Sequence, residues 1–266
     1  MQKFPSSAEL WIDAARFEYE RNFNITGARN LLLRSLRLNP ERRELWLEYA
    51  RLETLYIFKI LERRRVLGLD NKSQTEGNAW DGKDFGDQNE ITLPTITEND
   101  LQADGSEGEP MLNSSLADIS SNAALNGAIP TMVYSSATAA RPDDILLFVG
   151  FYDMFLAFHP TLPFINTMLD TVKHDLADKF PERGYTLLVQ IKDCVRGVRA
   201  DNEDFPTAVR EMMSMAQAIS TMSIENRKEC CTGLLKFIKS LSEMPDLEEN
   251  LGEVLKIFER RVMKWV

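Results

Sequence analysis

The 266-residue chain, 30.4 kDa and 44% hydrophobic, can bury one large core or two modest ones, which excludes disorder along its whole length. Its formal charge of −10 is unevenly placed: residues 71–140 hold eleven acids against Lys72 and Lys83, the remainder is close to neutral, and no global basic field exists to drive binding to a phosphate backbone. No run of about 18 apolar residues is present, the opening MQKFPSSAEL lacks the apolar stretch of a secretory leader, and Cys194, Cys230 and Cys231 show neither disulfide nor zinc spacing, so an intracellular chain with interior free thiols is expected.

The first elements repeat. Pro5, Glu9, Leu10, Trp11, Ala15, Arg16 and Glu18 recur, each at an offset of 35, as Pro40, Glu44, Leu45, Trp46, Ala50, Arg51 and Glu53. A fixed period of this size is the mark of stacked helical hairpins, each of which buries its apolar face only against its neighbours. Pro5 with Ser6 or Ser7 opens a first helix carrying Leu10, Trp11, Ala14, Ala15 and Phe17. Asn22 to Gly27 breaks it, and Ala28 to Leu38 returns, stopped by Asn39-Pro40. In the second unit Lys59 and Glu62 replace the turn residues Asn24 and Gly27, so one long helix is expected from about Glu41 to Leu67.

Residues 71–140 abandon periodicity. Six of the thirteen glycines fall here among many Ser, Thr and Asn, with Trp80, Phe85 and Tyr134 as the aromatics. The expectation is a disordered acidic insertion, in which ITLPTI and AIPTMVY are spacer or short docking motifs. From Pro142 the helical period returns in six stripes: Ile145 to Tyr152, Ile165 to Leu176, Leu188 to Val198, Val209 to Ala216, Leu234 to Leu241, and Leu247 to Val262. Pro160, Pro163, Pro181, Pro206 and Pro245 punctuate them, and three further hairpins are expected. The predicted organisation is therefore two repeats in 1–70, the insertion in 71–140 and degenerate helical repeats in 141–266. The predicted fold class is all-α, a right-handed superhelix of antiparallel hairpins.

Catalytic signatures are missing: no nucleotide-binding glycine motif, no nucleophile elbow, no H-E-x-x-H and no paired C-x-x-C. No enzyme, cofactor or metal is expected. Asp143-Asp144 and Glu248-Glu249 read as acids placed at helix starts, where the dipole favours them. Trp11 and Trp46 read as core rather than as base-stacking platforms for RNA, since each falls on the apolar face of a repeat helix beside Leu10 or Leu45. Glu18 and Glu53 share that face two turns on, and a half-buried carboxylate there calls for a basic partner, Arg29 or Arg34 for Glu18. His159 reads as a helix-terminal residue, and EMMSMAQAISTM as a Met-rich core helix. Arg63, Arg64 and Arg65 are the dense basic feature. They point in different directions on a helix, so a solvated, salt-bridged face is expected, with contact to an acidic protein segment or RNA as the alternative.

The pattern W-x-x-[A/Y]-A-R-x-E at Trp11–Glu18 and Trp46–Glu53, Tyr49 filling the variable place and Pro40 the boundary, resembles the half-a-TPR (HAT) repeat of RNA-processing scaffolds. The string LNPERRELWLEYARLETLYIFKILERRRVLGL resembles one family in particular, the U-three small nucleolar RNA-associated protein six, matching it at Arg64, Arg65, Val66, Gly68 and Leu69. The resemblance covers about residues 4–69. It implies a HAT/TPR-like α-solenoid that holds propeller subunits of UtpB in the nucleolar small-subunit processome, supporting 18S rRNA maturation, with protein partners first and RNA contact indirect. A HAT scaffold of splicing or mRNA 3′-end processing, or a direct RNA-binding repeat protein, are the competing readings. The resemblance also implies an N-terminal helical region and earlier repeats before the first unit, and a solenoid with bare ends exposes apolar surface, so either a shortened version of a longer protein or partners covering both ends is expected.

Overall fold

A computed structural model describes residues 5–66, 124–200, 202–244 and 247–265, and every regular element among them is helical. The first hairpin is α1 (Ala8–Glu20) and α2 (Ile25–Leu38). Its turn is made by Phe23 in the left-handed region (φ 53°) and by Asn24, whose side chain accepts a hydrogen bond from Gly27 N at 2.8 Å and caps α2. The long α3 (Arg43–Val66) runs unbroken, as the missing turn chemistry predicts.

The end of the expected insertion is folded rather than disordered. Its residues form α4 (Ala128–Ala140), which lies along α3 and supplies the return helix of the second hairpin. AIPTMVY is therefore packing rather than a docking motif: Pro130, Val133, Tyr134, Ala137 and Thr138 face inward at helical spacing. With only Val133 and Tyr134 as large members of that face, the stripe is too thin to stand out in an Ala/Ser/Thr-rich segment. Tyr134 carries most of the weight, meeting Phe151 edge-on at 5.1 Å and donating its hydroxyl to Asp175 Oδ2 at 2.6 Å. Tyr134→Phe keeps the ring and strands Asp175, so a loss of about 1 kcal/mol in chemical denaturation is expected. Residues 71–123 of the expected insertion, and Gly68-Leu69 of the family motif, lie outside the described residues.

The expected later helices form as α5 (Ile145–Leu156), α6 (Ile165–Lys179), α7 (Gly184–Asp193), α8 (Phe205–Met215), α9 (Ile224–Ser242) and α10 (Glu249–Met263). The Met-rich segment does not stay one helix: it passes from α8 into a 3-10 turn at Ala216–Thr221, burying Met212, Ala216 and Ile219 while Met215 faces out. Gly184 is required at the start of α7, because a Cβ there would sit 1.9 Å from the Asn226 carbonyl oxygen of α9.

Successive odd-numbered helices pack against one another from α1 to α9, and α2, α4, α6 and α10 fold back on them. This is an α-solenoid, with one core around Phe148, Phe151 and Phe155 of α5 and a second around Ile191, Cys230, Leu234 and Phe258. Tyr185 packs on both, so the apolar interior is continuous.

Candidate interaction surface

The repeat residues converge on the seam between hairpins. Trp11 Nε1 donates to the Pro5 carbonyl at 2.9 Å, and Trp46 Nε1 donates to the Pro40 carbonyl at 3.0 Å, the same bond one repeat later. Asn39 Nδ2 also reaches the Pro5 carbonyl, at 2.8 Å, tying the end of the first unit to its beginning. Ala15 and Ala50 are buried where helices approach closely. Trp11 is buried as expected, whereas Trp46 is only half-buried, spanning the gap between the first hairpin's core and that of α5.

The carboxylates tie one repeat to the next. Glu53, fully buried on α3, accepts both arms of Arg29 from α2 at 2.7 Å. Arg29, one of the two partners expected for Glu18, therefore serves the following repeat instead. Glu18 accepts from Asn24 Nδ2 at 3.2 Å, and Arg34 is exposed. Tyr49 packs between the same helices, and burial pushes its hydroxyl above the ordinary value.

A second clamp, missed in sequence, centres on Glu48. Arg16 of α1 grips it with two bonds of 2.9 Å, and Arg51 on its own helix adds bonds of 3.0 and 2.7 Å. The signal was present, since Arg16 and Arg51 are one of the echoed pairs and Glu48 stands where the first unit has Asp13. Burial works against ionisation of Glu48, and hydrogen bonds from Arg16 and Arg51 outweigh it, holding the carboxyl below its usual range. A depressed folded value means that the contribution to stability is complete above the unfolded value of about 4.3 and is lost as pH falls through the folded one. Thermal melting followed below about pH 4 should therefore fall less steeply in Glu48→Gln than in the parent.

The arginine run splits by direction. Arg64 is buried, Arg65 pairs with Glu62 at 2.8 Å on the surface, and Arg63 is exposed beside Lys59, Tyr56 and Phe23. The three do not form one basic track. Asp144 is likewise engaged rather than merely sitting at a helix start: Arg43 reaches it at 3.0 Å and Arg141 at 2.7 Å, while Arg141 also donates to the Glu41 carbonyl. This joins the entrance of α3 to the α4–α5 turn.

Two open grooves cross the array. One, of about 590 Å³ between α4 and α6, is lined by Thr131, Ser135, Thr138, Thr167 and Thr171 with Asp175 and Lys179. The other, about 530 Å³ over α5, α7 and α9, is apolar at Leu146, Val149, Leu188 and Phe237 and carries Lys236 and the Lys192–Asp153 ion pair of 2.6 Å. Cys230 and Cys231 are buried, and burial pushes the Cys230 thiol up to about 12. Cys194 is only half-buried, contrary to expectation. His159 shares a 2.8 Å hydrogen bond with Asn166 after the end of α5. Among the described residues no group of three His, Cys, Asp or Glu side chains is arranged to hold a metal ion.

No family model matches the chain. It is 34% identical over 122 residues to U3 small nucleolar RNA-associated protein 6 of Schizosaccharomyces pombe, a match that takes in 46% of this chain and 24% of that protein. The mouse homologue is 37% identical over 82 residues, covering 31% of this chain and 12% of its own length, and the Dictyostelium discoideum homologue 40% over 57 residues, covering 21% and 9%. The chain thus spans about a quarter or less of the relatives it matches, and the longest match exceeds the stretch carrying the repeat motif.

Proposed function

We propose, from its kinship with the U3 small nucleolar RNA-associated protein 6 family, that this chain is a non-catalytic helical-repeat scaffold of the small-subunit processome. The observation that carries the reading is the coincidence of that sequence match with a stack of hairpins bolted together by paired arginine–glutamate clamps. Such a seam serves to hold an extended surface in a set shape rather than to perform chemistry. In this role the chain acts in ribosome biogenesis, in the nucleus and nucleolus, with propeller subunits of UtpB as its protein partners and with indirect contact to RNA. Its output is support for the processing that leads to 18S rRNA.

Neither the near-neutral helical part nor the divided arginine run supports direct RNA reading as the principal task. The test is purification of the tagged chain from its own cells, with mass spectrometry and RNA sequencing of what accompanies it. Recovery of UtpB subunits, U3 RNA and 18S precursors is expected. Recovery of splicing or mRNA 3′-end factors in their place would overturn the nucleolar assignment while leaving the fold intact.

A further inference from the structure

Because α3 runs on where the first unit turns back, its later turns stand beside the tip of the first hairpin. Between them lies a small open recess of about 240 Å³, walled by Phe23 and Ile25 of the tip and by Tyr56 and Ile60 of α3. Lys59 and Arg63, both exposed and one turn apart on the same face of α3, line it as well. Phe23 is the anomalous residue. It holds a left-handed backbone (φ 53°), a conformation that Asn or Gly adopts freely and a bulky side chain only under strain, yet its ring is 82% exposed and gains almost nothing from burial. The two cations are not neutralised. Lys59 lies over the Tyr19 ring at 4.3 Å, and neither it nor Arg63 meets a carboxylate at ion-pair distance among the described residues. The acids of these helices are engaged elsewhere: Glu18 by Asn24, Glu53 by Arg29 and Glu62 by Arg65.

We infer that this recess is a docking site for an acidic segment of a protein partner, which seats one large apolar side chain against Phe23 and brings carboxylates to Lys59 and Arg63. The recess has room for a single side chain rather than for a helix, and an apolar anchor in a pocket with charges at its rim is the arrangement that concentrates binding energy in few residues. Two cations without carboxylates of their own select the partner by charge. RNA fits the site less well. Ile25 and Ile60 make aliphatic walls, and the next exposed cation, Arg65, is neutralised by Glu62, so no row of free cations follows successive phosphates. The chain's own acid-rich residues 71–123 are the competing occupant, and the second experiment below separates them from a partner. The inference goes beyond the processome reading. Its first experiment is read on the purified chain, so its failure leaves that reading in place.

In the first experiment, fluorescence anisotropy on the purified full chain follows the binding of a short peptide with one phenylalanine among glutamates, its alanine and lysine counterparts, and oligouridine. The phenylalanine peptide should bind, the alanine peptide about tenfold more weakly, and the lysine peptide not at all. Lys59→Glu with Arg63→Glu should weaken the phenylalanine peptide by about tenfold or more. Phe23→Asn should also lose binding, yet melt at or above the parent temperature, since asparagine suits the left-handed turn. A lower melt would make the Phe23 ring structural and overturn the assignment, as would preference for oligouridine, indifference to the charge reversal or no binding. In the second experiment, Phe23 is replaced by a photo-crosslinking phenylalanine in the full chain within its own cells. A cross-link to an acid-flanked apolar residue of another protein is expected, lost in the Lys59→Glu, Arg63→Glu background. A cross-link to residues 71–123 of this chain, to a second copy or to RNA, or none, would refute it.

Discussion

Glu53→Ala should lower the unfolding free energy by about 3 kcal/mol, because it leaves a guanidinium without its partner inside the seam. Arg29 lies three-quarters covered between α2, α3 and Tyr56, whose ring it faces at 4.9 Å. Water cannot easily take over the two 2.7 Å hydrogen bonds that it loses. Replacing both members together, Arg29→Leu with Glu53→Leu, should recover most of the loss, since an apolar pair of similar bulk removes both desolvation penalties. Urea titration of the two variants decides the matter. If the single variant unfolds with the parent, the clamp is a surface pair in energetic terms and the seam is held by its leucines alone.

Trp11→Ala should cost about 3 to 5 kcal/mol and Trp46→Ala roughly half of that, although the two tryptophans are equivalent by repeat position. Trp11 is buried against Leu36 and Leu45, so truncation opens a cavity and also frees one of the two hydrogen bonds on the Pro5 carbonyl. Trp46 keeps an edge in water, and its pocket can close partly on removal. Thermal melts of both variants test the ordering. Equal losses would mean that Trp46 is covered more completely in solution than its half-buried position allows.

The repeat, its period and the continuous α3 were legible because each rests on local chemistry: a proline boundary, an Asn/Gly turn present in one unit and absent from the next, and large apolar residues at helical spacing. The six stripes after Pro142 were legible for the same reason, and α5 to α10 formed on them, although α7 stops at Asp193, short of Val195 and Val198. The fourth helix was not. Its inner face has only Val133 and Tyr134 as large members beside Pro130, Ala137 and Thr138, and its helicity is settled by α3 and α5 closing over it rather than by its own composition.

The pairing of charges divides along the same line. That Glu18 and Glu53 occupy equivalent repeat positions follows from the 35-residue offset alone. Which arginine each receives does not, because a repeat's arginine can serve its own unit or the next, and the choice is set by the distance between stacked helices. The tertiary structure sends Arg29 and Arg16 forward to Glu53 and Glu48, leaving Asp13 of α1 exposed and Glu18 held by Asn24. Sequence by itself therefore determined the helices other than α4 and their periodic spacing, which short-range sterics and apolar patterning dictate. Tertiary structure decided the register between hairpins and the partners across the seam, because these depend on contacts between residues that are remote along the chain.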